Sequence, residues 1–289
     1  MEKIRNYIKL MRVHHYIKNV LLFAALGCSG QLLNIEKLYS AIWGFLAFCM
    51  ISSVIYVIND IKDREKDRIH PTKCRRPIAS GKISVKSAYI LAAILFLSSM
   101  LYNYLVFRPL SSILLITYFA LNIAYSFELK NKPLIDVTIL TSGFLLRVVY
   151  GAVITDIAIS NWLYLTVFVL AFYFSLGKRR NELKRTEGSG QTREVLKHYS
   201  INFLDKNMYM CLGLANTFYA LWCMDTATIL HYRMNLIFTV PIVLLITMKY
   251  SMNIEGDSDG DPVEVLLHDR ILLLLCLVYF VMMFFALYC

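Results

Sequence analysis

Composition, the spacing of apolar runs and the placement of cations together predict an all-α integral membrane protein with nine transmembrane helices and a cytosolic cap. The 289 residues are 58% hydrophobic, with a mean hydropathy of +0.55. Ordinary soluble domains hold about 45–50% apolar residues, so a soluble globular class is excluded. Runs long enough to cross a hydrocarbon layer of roughly 30 Å recur along the whole chain, and one membrane domain, 1–289, is the economical count.

In chain order, residues 1–19 carry Lys3, Arg5, Lys9, Arg12 and Lys18 among Ile4, Ile8, Met11 and Tyr16, the pattern of an interfacial amphipathic helix. The nine spans are expected at Val20–Leu33, Leu38–Ile58, Ala88–Phe107, Leu110–Phe127, Leu134–Ile154, Ile157–Leu176, Met208–Leu230, Leu236–Met252 and Ile271–Tyr288. The first is short unless it extends back through Tyr16. The basic start followed by ALGC loosely resembles a lipoprotein signal, but the residue order around Cys28 and the eight further spans favour a first membrane helix. Seven cysteines without C-x-x-C spacing point to apolar fillers, not to disulfides or zinc.

Charge sets the orientation. Of the 30 Lys and Arg, Lys37, Arg108 and Arg233 fall in loops on one side, Arg147 lies inside a span, and the other 26 lie on the opposite side. The positive-inside rule then puts the N-terminus and the long loops in the cytosol and the C-terminus outside a cell (inner) membrane. The formal charge of +10 follows from this topology and from anionic lipid, and implies no nucleic-acid partner. Long cytosolic segments are expected at residues 60–86, 177–207 and 253–270, with a shorter one at 128–133. Span, charged loop and span recur around the second and third spans and around the sixth and seventh, which hints at a repeat with pseudo-twofold symmetry. Such an organisation suits an enzyme that joins a water-soluble substrate to a lipid.

The most informative stretch is NDIKDREKDRIHPTKCRRPIASGK, Asn59 to Lys82. Asp60, Asp63 and Asp67 are spaced i, i+3, i+7, so a helix carries all three carboxylates on one face over about 10 Å. Mg²⁺ takes one or two carboxylates plus phosphate oxygens and keeps waters, so such a row beside a cavity suits metal-bound diphosphate. His70-Pro71 ends the helix, since proline lacks an N–H and restricts its predecessor. Beyond it Lys73, Arg75 and Arg76 offer donors for phosphate oxygens. The alternative is a solvated loop laced with ion pairs; the apolar span running straight into the stripe and the compact turn RPIASGK argue against it.

With Asn59, Asp60, Asp63 and Asp67, this stretch resembles the first signature of the UbiA superfamily of membrane prenyltransferases. A second constellation, FYFSLGKRRNELKR from Phe172 to Arg185, stands where such enzymes usually hold a second aspartate-rich motif. Here no aspartate occurs from Ile157 to Leu204. The departure argues against a prenyl diphosphate donor and for cations, Lys178, Arg179 and Arg180, that meet an additional phosphate. Anchoring of the helix end to anionic lipid is the alternative. At GKRRNEL the resemblance narrows to the polyprenyl-phosphate phosphoribosyltransferase branch, known from decaprenyl-phosphate phosphoribose synthesis. MRVHHYIKN, YSFELKNKPLIDV, GFLLRVVYGA and GDPVEVLLHDR are similar to the same branch. His15-Tyr16 departs from the Q-W pattern expected there.

Other residues have two readings each. Arg147, deep in the fifth span, costs roughly 2.5–3.5 kcal/mol to insert unless it faces the bundle interior or a wet cavity; it is a phosphate contact or an interhelical clamp. Lys18 and Asn19 fall at the level of a lipid phosphate, or of ordinary snorkelling. Asp136 suits a helix dipole, and Asp261-Pro262 an N-cap with proline at N1.

The resemblance implies Mg²⁺-dependent transfer of the 5-phosphoribosyl group from 5-phosphoribosyl-1-diphosphate to a polyprenyl phosphate, releasing diphosphate, in cell-envelope glycolipid synthesis. A phosphate monoester is already anionic, so the acceptor needs no general base. Asp60, Asp63 and Asp67 would hold Mg²⁺ against the leaving diphosphate, and the acceptor lipid and the phosphoribosyl diphosphate would be the partners. The sequence leaves self-association into a homo-oligomer open. A prenyltransferase acting on an aromatic or other acceptor keeps the first motif but lacks the second. A transporter explains the hydropathy but not Asn59 to Lys82.

Overall fold

The computed structural model describes residues 2–186, 193–232, 235–256, 258 and 260–288. Among them all regular structure is helical. The helices are α1 (Glu2–Met11), α2 (Ala24–Cys28), α3 (Ile35–Lys62), α4 (Arg64–Arg68), α5 (Val85–Val106), α6 (Pro109–Phe127) and α7 (Ile135–Thr155). They continue as α8 (Asn161–Thr186), α9 (Ile201–Met224), α10 (Thr226–His231), α11 (Val240–Glu255), α12 (Pro262–His268) and α13 (Arg270–Tyr288). Polar caps start several of them: Asn34, Ser84 and Ser200 accept the N–H groups of Lys37, Ser87 and Phe203. Asp261 caps α12 ahead of Pro262, as the sequence suggested.

Among the described residues, six stretches are long and apolar enough to cross a membrane: α3, α5, α6, α7, Leu236–Glu255 and α13. The chain is therefore a multi-pass membrane protein, with fewer continuous apolar helices than the nine expected. α8 and α9, of 26 and 24 residues, have the length but not the apolarity; α8 continues through GKRRNELKR to Thr186. The expected first span has no long α-helix. A 3₁₀ segment, Val13–Phe23, leads into the short α2 instead.

The chain divides into two compact units, residues 1–127 with 146–158 and residues 128–145 with 159–289. In the first unit α3 packs on α5, on α6 and on the 3₁₀ segment. At 28 residues α3 is about 42 Å long, more than a hydrocarbon layer of roughly 30 Å, so at least one end projects from it. Around the C-terminal half of α3, Leu10, Val54, Val57, Ile78, Ile83, Ala88 and Ala92 form a buried apolar cluster. Lys37 and Arg108, expected on the outer side, meet at Asp156 (Nζ to carbonyl O 3.4 Å; Nη1 to Oδ1 3.1 Å). Arg233 lies outside the described residues.

In the second unit α8 and α9 form the most extensive helix pair, and α11 packs on α9 and α13. Its core holds Val137, Tyr173, Leu176, Leu196, Leu204, Met208, Ile254, Val265 and Leu272. Gly260, at φ +77°, lets the chain lie against α8, where a Cβ would stand 2.8 Å from the Lys178 Cα. Asn181 Nδ2 ties the same loop down through the Ile254 carbonyl at 2.7 Å and Ser258 Oγ at 2.8 Å.

Close backbone approach in the first unit gives a direct test. A Cβ on Gly151 would stand 1.9 Å from the Leu22 carbonyl oxygen, whereas one on Gly213 would meet nothing within 4 Å. Gly151→Ala should therefore destabilise by about 1–3 kcal/mol or more, because backbone must move. Gly213→Ala should be neutral or stabilise by up to about 1 kcal/mol through helix propensity. Thermal unfolding of both variants in detergent distinguishes these outcomes.

Candidate active site

The acidic stripe forms where α3 gives way to α4. Asp63 caps α3, and the bonds Asp63 N–H to Asn59 O (2.9 Å) and Asp67 N–H to Asp63 O (2.8 Å) carry the helical pattern across the junction. The expected single helix is thus two helices that meet at Asp63, and α4 stops at Arg68, before His70-Pro71. Asp60 and Asp67 are buried. One guanidinium nitrogen joins them: Arg76 Nη1 lies 2.6 Å from Asp67 Oδ2 and 3.2 Å from Asp60 Oδ1. Arg12 Nη2 donates to the same Asp60 Oδ1 at 2.6 Å. Among the described residues the Asp63 carboxylate makes no hydrogen bond or ion pair.

Apolar packing sets the positions of both arginines. In RPIASGK, Ser80 N–H bonds to Arg76 O (2.9 Å) and Ile83 N–H to Pro77 O (3.0 Å), while Gly81 supplies a left-handed turn at φ +76°. Ile78 and Ile83 insert into the cluster around Leu10 and fix Arg76 beside the stripe. Leu10 anchors α1 in that cluster, and Arg12 then takes a left-handed conformation, φ 52° and ψ 49°. For a residue with a Cβ this costs about 1–2 kcal/mol. The bend is held by Ser53 Oγ, which donates to Met11 O at 3.0 Å, and it lays the Arg12 guanidinium over the Tyr56 ring at 4.9 Å.

Two buried polar atoms in this stretch lack a hydrogen-bond partner among the described residues, Asn59 Oδ1 and Arg64 Nε. Glu65 Oε1 stands 3.7 Å from Arg64 Nε, too far to satisfy it. One is an acceptor that suits a cation, the other a donor that suits an anion. Lys73 and Arg75 are exposed on a 3₁₀ turn packed against α4. His70 Nδ1 organises that turn by accepting from the Thr72 and Lys73 N–H groups at 3.3 and 3.4 Å. Among the described residues no three Asp, Glu, His or Cys side chains converge to cage an ion. The donor set fits a cation that brings most of its own ligands, as Mg²⁺ does.

Asn19, expected at the level of a lipid phosphate, is buried inside the protein. It accepts from Arg147 Nε at 2.8 Å and donates to Cys49 Sγ and Ser52 Oγ at 3.2 and 3.4 Å. Arg147 Nη2 also donates to Tyr118 Oη at 2.8 Å, and its guanidinium faces the Phe48 and Tyr118 rings. These are the contacts of a clamp. At 1.5 Å per residue Ser52 and Cys49 lie about 12–17 Å along α3 from Asp60. Lys18 is half-buried one residue earlier.

In the second unit the run Lys178–Arg180 is not an open row of cations. Arg179 is fully buried, donating to Asp136 Oδ2 at 2.6 Å and to Glu182. Tyr199 Oη donates to Asp136 Oδ1 at 2.6 Å and accepts the Leu134 N–H at 2.7 Å. Burial pushes the Tyr199 hydroxyl well above its ordinary range, so it stays a donor. Arg180 pairs with Asp205. The expectation that Arg179 stands ready for a substrate phosphate fails on its enclosure, and Asp136 does more than complement a dipole. Lys178 is half-buried. Sequence reasoning missed Arg12, Arg64 and the acids that neutralise Arg179 and Arg180.

The UbiA prenyltransferase family model matches residues 20–259. The decaprenyl-phosphate phosphoribosyltransferase of Mycolicibacterium smegmatis is 34% identical over 294 aligned residues, 94% of this chain and 89% of the relative. That of Corynebacterium glutamicum is 32% identical over 293 residues, 97% and 86% of the two chains. Among solved structures, a UbiA homologue from Archaeoglobus fulgidus bound to GPP and Mg²⁺ superposes with a TM-score of 0.72 at 18% identity, over 98% of this chain and 100% of that one. Signature, fold and sequence agree: the chain belongs to the UbiA prenyltransferase family.

Proposed function

We propose that this protein transfers the 5-phosphoribosyl group of 5-phosphoribosyl-1-diphosphate to a polyprenyl phosphate in the membrane, with Mg²⁺, releasing diphosphate. Relatives of 30–34% identity that align with 94–97% of the chain are named decaprenyl-phosphate phosphoribosyltransferase. The observation that carries the reading is the stripe itself: two buried carboxylates bridged by a guanidinium, beside an unsatisfied oxygen and an unsatisfied N–H. A metal-bound diphosphate complements each of them.

Asp60 and Asp67, with Asp63 and Asn59 Oδ1 along the same stripe, would supply one or two ligands at a time to Mg²⁺, which when bound would neutralise charge developing on the departing diphosphate. Arg64, Lys73, Arg75 and Arg76 bind its phosphate oxygens by charge-assisted hydrogen bonds. The hard step is loss of diphosphate from the ribosyl carbon, with oxocarbenium-like charge on the sugar. The acceptor monoester attacks as an anion, so no side chain needs to remove a proton. Lys178 is the member of its run proposed to meet a substrate phosphate, and Lys18 the lipid phosphate, while Arg147 and Asn19 hold the 3₁₀ segment on α3. In this reading α8, α9 and the segment 13–28 complete nine crossings. The N-terminus and the Asn59–Lys82 segment are cytosolic, and the C-terminus lies outside.

The decisive assay uses purified protein, labelled phosphoribosyl diphosphate and polyprenyl phosphates of several lengths. Labelled lipid should form with Mg²⁺ and vanish with a chelator. Prenyl transfer from a polyprenyl diphosphate, with no phosphoribosyl transfer under the same conditions, contradicts the proposal.

Asp60→Asn and Asp67→Asn should each lower kcat/KM by about 10–150-fold or more, the worth of a charge-assisted contact. Each variant should still elute as folded protein in detergent. Near wild-type turnover by both would reduce the stripe to a structural ion-pair cluster.

Cys74, half-buried between Pro71 and Arg76, reports orientation. In a variant lacking the other cysteines, an impermeant thiol reagent should label it in inverted vesicles and miss it in intact cells. Labelling from outside reverses the topology.

A further inference from the structure

We infer that Arg12 and Arg76 occupy the place of the catalytic cation, so that metal enters this site together with diphosphate and binds poorly without it. The inference rests on the reading of Asp60 and Asp67 as metal ligands and adds an order of events and a residue, Arg12, to it.

The geometry is that of a filled cation site. Arg76 Nη1 lies within 3.2 Å of one oxygen from each buried carboxylate, and Arg12 Nη2 lies 2.6 Å from the Asp60 oxygen that Arg76 also touches. A divalent ion seeking those oxygens must displace nitrogens already on them. Charge makes the exchange selective. Asp60 and Asp67 carry two negative charges, and Arg12 and Arg76 carry two positive ones, so the buried group is neutral. A bare divalent ion would leave it with an excess of two positive charges in a poorly hydrated place, which is costly. Diphosphate brings more negative charge than the ion brings positive, and gives both guanidiniums new acceptors of the bidentate kind they favour.

Both arginines are free to make that move. Their side chains are 21% and 27% exposed, against 3% for Asp60. Arg12 is moreover strained, held at φ 52° with its guanidinium stacked on Tyr56. Its carboxylate contact spans 48 residues of sequence and belongs to no helix pattern. Arg12 is thus a positioning residue in the metal-free protein and a phosphate ligand in the loaded one. By linkage, if diphosphate tightens metal binding, metal tightens diphosphate binding by the same factor.

The test is equilibrium dialysis of detergent-solubilised full-length protein against radiolabelled Mn²⁺, alone and with inorganic diphosphate, with protein-bound Mn²⁺ counted. Wild type should bind Mn²⁺ weakly alone and at least about tenfold more tightly with diphosphate. Arg12→Gln and Arg76→Gln should each strengthen binding of Mn²⁺ alone by about tenfold or more, the effect of removing one competing charge-assisted contact, and shrink the gain from diphosphate. Arg12→Lys, which keeps the charge, should behave closer to wild type and guards against a folding defect in the Gln variants. Unchanged or weaker binding of Mn²⁺ alone in both Gln variants overturns the exchange. Tight Mn²⁺ binding by wild type without diphosphate does the same. Asp67→Asn separates the underlying reading: if it still binds Mn²⁺ with diphosphate as wild type does, the stripe is not the metal site at all.

Discussion

A carboxylate buried near the end of a long apolar helix must be neutralised, and the architecture of the first unit around Asp60 follows from that requirement. Asp60 is 3% exposed. Leaving it unpaired would cost several kcal/mol, so two guanidiniums converge on one of its oxygens. Each is delivered by an apolar anchor: Leu10 fixes the helix that Arg12 follows, and Ile78 and Ile83 fix the turn that starts at Arg76. The membrane helix, the amphipathic N-terminal helix and the basic turn are thereby tied to a single small cluster. In the proposed reading, these acids and cations would meet a metal-bound diphosphate.

The second unit shows what a permanent ion-pair network looks like by contrast. Arg179 is wholly enclosed, and every partner around it is itself held: Asp136 by Tyr199, Glu182 by Arg193 at 3.3 Å. Removing one member of such a buried pair costs roughly 3–5 kcal/mol because the other charge is stranded. Leu134 takes a left-handed conformation, φ 64°, at the point where its N–H meets Tyr199. The network locks the start of α7, the end of α8 and the segment Glu194–His198 together. Exposure separates the two kinds of arginine: the Arg12 and Arg76 side chains are partly exposed, whereas Arg179 is enclosed.

Much of this was legible in the sequence. The apolar run Leu38–Ile58 became α3, three residues longer at its start and four at its end, and the spacing of Asp60 and Asp67 did put both on one buried side. What stayed hidden were partners far apart along the chain. Arg12 lies 48 residues from Asp60, and a left-handed arginine has no sequence signal. The run Lys178–Arg180 read as phosphate-binding because no aspartate occurs from Ile157 to Leu204; two of the acids that neutralise it, Asp136 and Asp205, come from other elements. The segment Val13–Phe23 covers the end of the expected amphipathic helix and the start of the expected first span. It winds as 3₁₀ instead, and close packing of Gly151 on the Leu22 backbone and the Asn19–Arg147 clamp hold it against its neighbours.

The account turns on which cation sits between Asp60 and Asp67, and that position can be observed. Anomalous scattering from crystals grown with Mn²⁺ and diphosphate locates the ion directly. The expected result is a peak between the two carboxylates, with the Arg76 and Arg12 guanidiniums moved onto phosphate oxygens. A metal peak elsewhere, with Arg76 still bridging Asp60 and Asp67, would contradict it.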